Sequence, residues 1–199
     1  SGGVAIPTDG ATWQAMRLSR NRRWGHPTLV ALVEKLSRDA AEKDGWPGLL
    51  IGDMSQPRGG PMLTGHASHQ IGLDADIWLT PMPNRQLSRN EREEMSAVMM
   101  VREDRLDVDP RVFTPGHLAV IRAAANEATV QRIFVNAAIK KALCREAKGD
   151  RGWLRWLRPC NVLFVPVGIT LLAVLPDNWL RLTVAGALGS LPFYVGFLM

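Results

Sequence analysis

Apolar and polar residues alternate from Ile71 to Leu79, and this period of two predicts a half-buried β-strand. The apolar face carries Ile71, Leu73, Ala75, Ile77 and Leu79, and the opposite face carries Gly72, Asp74, Asp76 and Trp78. The preceding segment, residues 59–65, is rich in glycine and proline and predicts a loop. His69 is therefore expected at the junction of loop and strand, where Gly72 allows the backbone to bend.

Helical spacing of apolar residues begins at Pro27, a residue that suits the first position of a helix. Gly45 and Pro47 end this helix, and residues 49–51 predict a strand that leads to Asp53. Further elements are predicted at residues 117–128 (helix), 132–135 (strand) and 137–147 (helix). The mixture of elements predicts an α+β domain.

Ser88 and Glu91 have the spacing of a capping box, in which the two residues satisfy backbone N–H groups at a helix start. An amphipathic helix is expected to follow, with Met95, Val98 and Met99 directed toward the core.

The chain carries a net charge of +5 and a pI near 9.8, which favours anionic partners. A basic cluster extends from Arg17 to Trp24, and phosphate contacts by this cluster are one interpretation of it. No nucleic-acid motif accompanies the cluster, so we predict no nucleic-acid partner. A solvated basic face is the simplest explanation.

Residues 65–76 contain two of the four histidines in the chain together with two aspartates. Imidazole and carboxylate are the usual ligands of catalytic zinc, which takes three protein ligands and keeps one position for water. Spacing alone leaves two interpretations open: a metal site, or a structural histidine beside a solvated strand face. The other two histidines, His26 and His117, each lie near a proline at a helix start, where capping or structural roles are expected.

Several segments in a fixed order resemble the penicillin-insensitive murein endopeptidase family, within the lysostaphin/D-Ala-D-Ala/hedgehog group of metallopeptidases. The resemblance covers about residues 4–159 and includes His69-x-x-Gly72-x-x-x-Asp76. The other matching segments are residues 16–22 (MRLSRNR), 24–27 (WGHP), 49–54 (LLIGDM), 65–70 (GHASHQ), 132–136 (RIFVN) and 150–155 (DRGWLR).

This resemblance implies a hedgehog/D-Ala-D-Ala-peptidase-like α+β fold, with a small antiparallel sheet and flanking helices. It also implies a periplasmic, zinc-dependent hydrolase. The family cleaves peptide cross-links in murein, chiefly between D-alanine and meso-diaminopimelate. By position, His66, His69 and Asp76 would be zinc ligands. A second, looser metal position of the family would fall at Asp104 and Asp107, where this chain has aspartate in place of the family's histidine.

The chain departs from the family where the last ligands should stand. The family has a His-x-His pair shortly after the Asp150–Arg155 segment, whereas this chain has no histidine after His117. Catalytic residues therefore remain unassigned, and little or no turnover is expected. Two alternatives to an active zinc endopeptidase follow: a zinc- or murein-binding module without catalysis, and a membrane-tethered envelope protein.

A tail of low charge follows the region of resemblance, so we predict a zinc domain at residues 1–159 and an apolar helical tail at residues 160–199. Three interpretations of the tail stay open: a membrane-entering hairpin, a non-native fusion or frame change, and a soluble two-helix element. The non-native origin is favoured, since the apolar stretch begins where the ligand segment should stand. Cys144 matches a disulfide-bonded cysteine of the family whose partner falls in the missing region, and Cys160 is near enough in sequence to pair with it.

Overall fold

The computed structural model of the chain describes residues 3–62, 68–147, 149–160 and 168–173. The strands are β1 (Val4–Ala5), β2 (Trp13–Ala15), β3 (Trp24–Gly25), β4 (Leu49–Ile51), β5 (Asp74–Trp78), β6 (Val130–Asn136), β7 (Leu157–Cys160) and β8 (Gly168–Ala173). The α-helices are α1 (Pro27–Lys43), α2 (Arg89–Glu94), α3 (Pro115–Asn126) and α4 (Ala137–Glu146). Short 3-10 helices occupy Leu18–Arg20 and Gly152–Trp156. The α+β class is confirmed.

Helix α1 forms where the sequence predicts it. The His26 side chain accepts a hydrogen bond from the backbone N–H of Thr28 at 3.2 Å, and Pro27 occupies the first turn. The apolar stripe of the helix is buried and comprises Leu29, Val30, Leu32, Val33 and Leu36. The chain leaves the helix through Gly45, whose φ of +76° suits glycine.

The main sheet has six strands in the order β2-β4-β5-β8-β6-β7, and β1 pairs with β3 in a separate two-stranded sheet. Strands β2 and β4 run parallel, as do β6 and β7, whereas the three central pairings are antiparallel. The expectation of an antiparallel sheet was therefore wrong at both edges, because β2 and β7 each lie beside a strand reached through a crossover.

The two faces of the main sheet bury different clusters. Residues of α1, α3 and α4 pack with Leu49, Ile51, Ala75 and Ile77 in the larger core. The opposite face carries a smaller cluster of Met16, Leu50, Met82 and Leu87, against which Trp78 and Met95 pack. Because side chains alternate along a strand, Asp74, Asp76 and Trp78 lie on this second face, away from the three longer helices. The predicted alternation of β5 is thus confirmed, although its start was misplaced, since Ile71 precedes the strand and is 60% exposed.

Two other predictions need correction. The capping box of Ser88 and Glu91 is present, but α2 ends at Glu94, and Val98 and Met99 are 40% and 54% exposed instead of packing inward. The backbone N–H of Val98 donates to Oγ1 of Thr80 at 3.0 Å, which ties this segment to the end of β5.

The prediction of a helical tail is also wrong for residues 168–173, which form strand β8 between β5 and β6. Residues 161–167 and 174–199, where the rest of the tail prediction falls, lie outside the described residues. Among the helices that the structure describes, none has the length and apolar character needed to cross a membrane.

Candidate metal centre

His69 is placed by a loop that is fastened to its surroundings on both sides. The backbone N–H of Gly60 donates to the carbonyl of Gln70 at 2.7 Å, and that of His26 donates to the carbonyl of Gly72 at 2.8 Å. His69 itself has a φ of +64°, a conformation uncommon for residues other than glycine. Such strain is found mainly where surrounding structure fixes it, often at functional sites.

The imidazole of His69 lies between two aspartates of β5. Its Nδ1 is 2.9 Å from Oδ2 of Asp74, and its Nε2 is 3.2 Å from Oδ2 of Asp76. The backbone N–H of His69 also donates to the Asp74 carboxylate, at 2.9 Å to Oδ2 and 3.2 Å to Oδ1. The side chain of His69 is 1% exposed and that of Asp74 is 8% exposed, whereas that of Asp76 is 31% exposed. Asp76 therefore forms the open side of the site.

The charge balance of this trio favours a cation. Burial disfavours the charged ring, but the carboxylates of Asp74 and Asp76 outweigh this and raise the pKa of His69 to about 10. The same two carboxylates would attract a divalent metal ion to the place where they stabilise the proton.

The separation of His69 and Asp76 would allow both side chains to bind one zinc ion. Zinc–nitrogen and zinc–oxygen bonds of about 2.0–2.1 Å in a tetrahedron separate neighbouring ligand atoms by about 3.3–3.4 Å. The observed separation of 3.2 Å between Nε2 of His69 and Oδ2 of Asp76 is close to this edge. Asp74 beside Nδ1 favours a proton on that nitrogen and leaves Nε2 as a ligand, the arrangement usual for metal-bound histidine. The predicted third ligand, His66, lies outside the described residues.

Asp76 is held at its position by an irregularity of the neighbouring strand. Gly52 donates its N–H to the carbonyl of Asp76 at 2.8 Å, and Asp76 donates its own N–H to the carbonyl of Asp53 at 2.9 Å. The consecutive residues Gly52 and Asp53 thus both form hydrogen bonds with Asp76, which is the pattern of a β-bulge. Such bulges are common beside active sites. A Cβ on Gly52 would lie 3.1 Å from the Cβ of Asp76, so glycine leaves room for the carboxylate.

Strand β8 pairs with β5 on the other side of Asp76. Thr170 is the register partner of Asp76, and Leu172 is the partner of Asp74. The sequence of this strand, GITLLA, contains no histidine, cysteine, aspartate or glutamate. The described residues form no group of three or more such side chains able to hold a metal ion. A metal ion bound here would therefore need a ligand from outside the described residues, and His66 is the predicted one.

Asp104 and Asp107, the weaker predicted metal position, have basic partners. Asp104 is 2.9 Å from Nη2 of Arg102, and its Oδ1 accepts from the N–H of Leu106. Asp107 is 2.7 Å from Nη1 of Arg145, which lowers the pKa of the carboxyl, and 3.8 Å from Nζ of Lys141. These contacts tie the segment around Asp107 to α4, and metal binding there remains a prediction.

The two other histidines have the structural roles expected of them. His26 caps α1, as described above. His117 is 2% exposed, accepts from the N–H of Thr114 at 3.0 Å through Nδ1 and lies 2.8 Å from the carbonyl of Leu79 through Nε2. Burial lowers the pKa of His117.

Sequence reasoning missed two features of this region. Asp74 was expected on a solvated strand face, yet it is buried against His69. Its position two residues before Asp76, on the same face of the strand, could have indicated that it lies beside the site. Asp53 was noted only as a strand end, but its carboxylate is 4% exposed and accepts from both Arg20 and Arg22 at 3.0 Å.

This α+β domain brings a buried histidine of a loop next to two aspartates of β5, and histidine and carboxylate are common ligands in zinc hydrolases. The chain belongs to the penicillin-insensitive murein endopeptidase family of metallopeptidases, whose family model matches residues 1–164. It is similar to proteins named penicillin-insensitive murein endopeptidase from three organisms. The identities over 158 residues are 43% for Haemophilus influenzae, 42% for Pectobacterium atrosepticum and 41% for Klebsiella pneumoniae. These matches cover 79% of this chain and 54%, 56% and 57% of the respective relatives. The chain thus spans about half the length of the curated relatives it matches.

Proposed function

We propose that this chain is a zinc-dependent endopeptidase domain that hydrolyses D-alanyl–meso-diaminopimelyl cross-links in murein. The observation that carries the proposal is the meeting of His69 and Asp76 at 3.2 Å, with Asp74 behind the imidazole. Family membership and the names of the relatives support the same substrate class. Murein lies in the cell envelope, so a periplasmic location accompanies the proposal, as does the hedgehog/D-Ala-D-Ala-peptidase-like fold.

Each residue of the site has a distinct part in this chemistry. His66, His69 and Asp76 would hold the metal, and Asp74 would fix the ring of His69 so that Nε2 faces the metal. A bound zinc ion supplies a water of lowered pKa and polarises the scissile carbonyl. The exposed side of Asp76 leaves an approach for the substrate, whereas the burial of His69 and Asp74 keeps water away from the contact between them.

A second candidate function is a zinc- or murein-binding module that does not turn over. Strand β8 favours it, because the strand beside Asp76 offers only uncharged residues and no imidazole. Without a further ligand or a base near the metal, substrate binding would persist while general base catalysis would lose about 10²–10⁴-fold in rate. The membrane-tether hypothesis concerns residues 161–199, of which the structure describes only residues 168–173.

Metal analysis followed by turnover separates these candidates. We expect the purified chain to bind zinc, Asp76→Asn to lose most of it, and Asp150→Asn, which alters an exposed carboxylate, to retain it. A chain that binds no zinc would overturn the endopeptidase and the zinc-binding module, and would leave only a murein-binding module.

The turnover assay compares the zinc-loaded chain with His69→Ala on soluble cross-linked murein dimers. Release of monomers by the parent chain alone supports the endopeptidase. Equal rates, with retained binding to murein, support the binding module and overturn catalysis.

A further inference from the structure

Two arginines converge on one buried oxygen close to the candidate site. Nη1 of Arg20 and Nη1 of Arg22 each lie 3.0 Å from Oδ2 of Asp53. The side chain of Asp53 is 4% exposed and that of Arg22 is 15% exposed, whereas that of Arg20 is 45% exposed. Of the two guanidinium groups that share this carboxylate, that of Arg20 is the more exposed.

Arg20 is held in place by the segment that carries it. Arg20 ends the 3-10 helix Leu18–Arg20, which is flanked by two residues of left-handed conformation, Arg17 (φ 53°) and Asn21 (φ 52°). Ser19 donates from its N–H and its hydroxyl to the Glu93 carboxylate, both at 2.8 Å. The guanidinium therefore needs little ordering when a ligand arrives, which reduces the entropic cost of binding.

The backbone contact between Asp53 and Asp76 sets the distance from Arg20 to the site. The N–H of Asp76 is 2.9 Å from the carbonyl oxygen of Asp53. That oxygen is about 5 Å or less from the carboxylate of the same residue, so Nη1 of Arg20 lies within about 11 Å of the nitrogen of Asp76. The carboxylate of Asp76 extends up to about 5 Å from that nitrogen, so Arg20 lies within about 16 Å of it. An extended peptide advances about 3.3–3.6 Å per residue, so this upper limit corresponds to about five residues of substrate.

The neighbouring arginines are engaged elsewhere. Arg17 donates to the carbonyl of Met95 at 2.9 Å and lies over the ring of Trp78, 5.4 Å from its centroid. Arg23 donates to the carbonyl of Ile6 at 2.6 Å. Within the part of the chain that the structure describes, the guanidinium of Arg20 contacts Asp53 through Nη1, which leaves its other N–H donors available to a ligand.

We propose that Arg20 binds a free carboxylate of the murein peptide, within about five residues of the bond at the metal site. This proposal rests on the proposed function and adds a specificity-determining residue to it. A guanidinium binds a carboxylate with two parallel, charge-assisted hydrogen bonds. A carboxamide offers one acceptor and no charge, so amidation of that group should weaken binding.

The test is calorimetric titration of the full chain, in a chelator that prevents turnover, with two soluble probes. One probe is a D-alanyl–meso-diaminopimelyl cross-linked peptide dimer with free carboxylates, and the other is the same dimer with those carboxylates amidated. The variants are Arg20→Gln and the matched control Arg38→Gln, which removes an exposed arginine of α1.

We expect the parent chain and Arg38→Gln to bind the acidic dimer about fivefold more tightly than the amidated one, the range for a partly exposed ion pair. In Arg20→Gln the ratio of the affinity for the acidic dimer to that for the amidated dimer should fall close to one. The affinity for the amidated dimer itself should stay unchanged. Equal affinities of the parent chain for both dimers, or an unchanged ratio in Arg20→Gln, would overturn the carboxylate subsite and leave the proposed function standing. Failure of the parent chain to bind either dimer would overturn this subsite, whereas the proposed function is tested separately by turnover of the zinc-loaded chain.

A salt titration of the parent chain tests the same subsite without a variant, in case Arg20→Gln does not fold. Raising NaCl from about 0.05 to about 0.5 M shortens the screening length severalfold, so the preference for the acidic dimer should shrink. A preference that does not change with salt would contradict an exposed guanidinium as its source.

Discussion

Nδ1 of His69 lies 2.9 Å from the carboxylate of Asp74, and this contact directs the opposite ring nitrogen toward Asp76. Replacement of Asp74 by asparagine removes the charge that favours a proton on Nδ1 while it preserves the size of the side chain. We predict that Asp74→Asn lowers zinc affinity by about 10–100-fold, as measured by competition with a chromophoric chelator. Asp150→Asn is the control, and equal affinities of the two variants would exclude a role for Asp74 in orienting His69.

Gly72 combines a left-handed backbone with close packing. Its φ is +69°, and a Cβ there would lie 3.1 Å from Cα of Gly25 and 3.3 Å from the nitrogen of His26. Gly45 is the matched control, since it has a similar φ of +76° but nothing within 4 Å of a Cβ. We predict that Gly45→Ala costs about 1 kcal/mol of unfolding free energy and Gly72→Ala about 1–2 kcal/mol more.

Urea denaturation measures this difference, and zinc affinity should fall in Gly72→Ala alone, because Gly72 belongs to the loop that places His69. Equal losses of stability in the two variants would show that the neighbours of Gly72 move aside without cost.

His117 makes stability depend on pH. The folded state disfavours its charged form, so the pKa of His117 is lowered by burial. A lowered pKa in the folded state means that stability is fully present above the unfolded value of about 6.5 and is lost as the pH falls below it. We predict that the unfolding free energy of the parent chain decreases from pH 7 toward pH 5 relative to that of His117→Gln.

The comparison with His117→Gln is needed because His69 titrates as well. Because the pKa of His69 is raised, its protonated ring stabilises the metal-free fold fully below pH 6.5, and this stabilisation is lost as the pH rises toward about 10. The parent chain and His117→Gln share this trend. A constant difference between parent and variant from pH 7 to pH 5 would contradict the assignment to His117.

Asp44 follows the last turn of α1, and within the described residues its Oδ2 is buried without a hydrogen-bond partner. Burial and the nearby charge of Asp39 raise the pKa of Asp44. Its raised pKa means that stability is lost as the pH increases through the pKa, so the ionised carboxylate destabilises the fold at neutral pH. We predict that Asp44→Asn raises the midpoint of urea denaturation at pH 7.

Asp39→Asn is the control for this change, because Asp39 pairs with Lys35 and Lys43 and its loss should lower the midpoint. A lower midpoint in Asp44→Asn would contradict the prediction.

The spacing of apolar residues was sufficient to predict those helices and strands in which one face is buried and the other is exposed. Helix α1 and strand β5 have this character, so their faces could be read from the chain, including the placement of Asp76 opposite the apolar side. Strand β8 could not be found this way, since its sequence GITLLA is apolar at nearly every position. A short apolar run without alternation does not distinguish a strand in the middle of a sheet from a buried helix.

The candidate site shows the same division between local and long-range information. The spacing of His69 and Asp76 along the chain indicated a shared ligand, because a loop end and the following strand are close in sequence. The convergence of Arg20, Arg22 and Asp53 joins segments about 30 residues apart, as the contact separations of 33 and 31 residues show. No local pattern encodes such a contact.

Strand β8 also connects the two halves of the main sheet. Its neighbours, β5 and β6, do not pair with each other. Residues 168–173 therefore form the only link, or seam, within the described sheet between strands β2, β4 and β5 on one side and strands β6 and β7 on the other. The family match ends at residue 164, before this seam. A chain shortened to that boundary would keep all the matching motifs and yet divide its sheet into two halves.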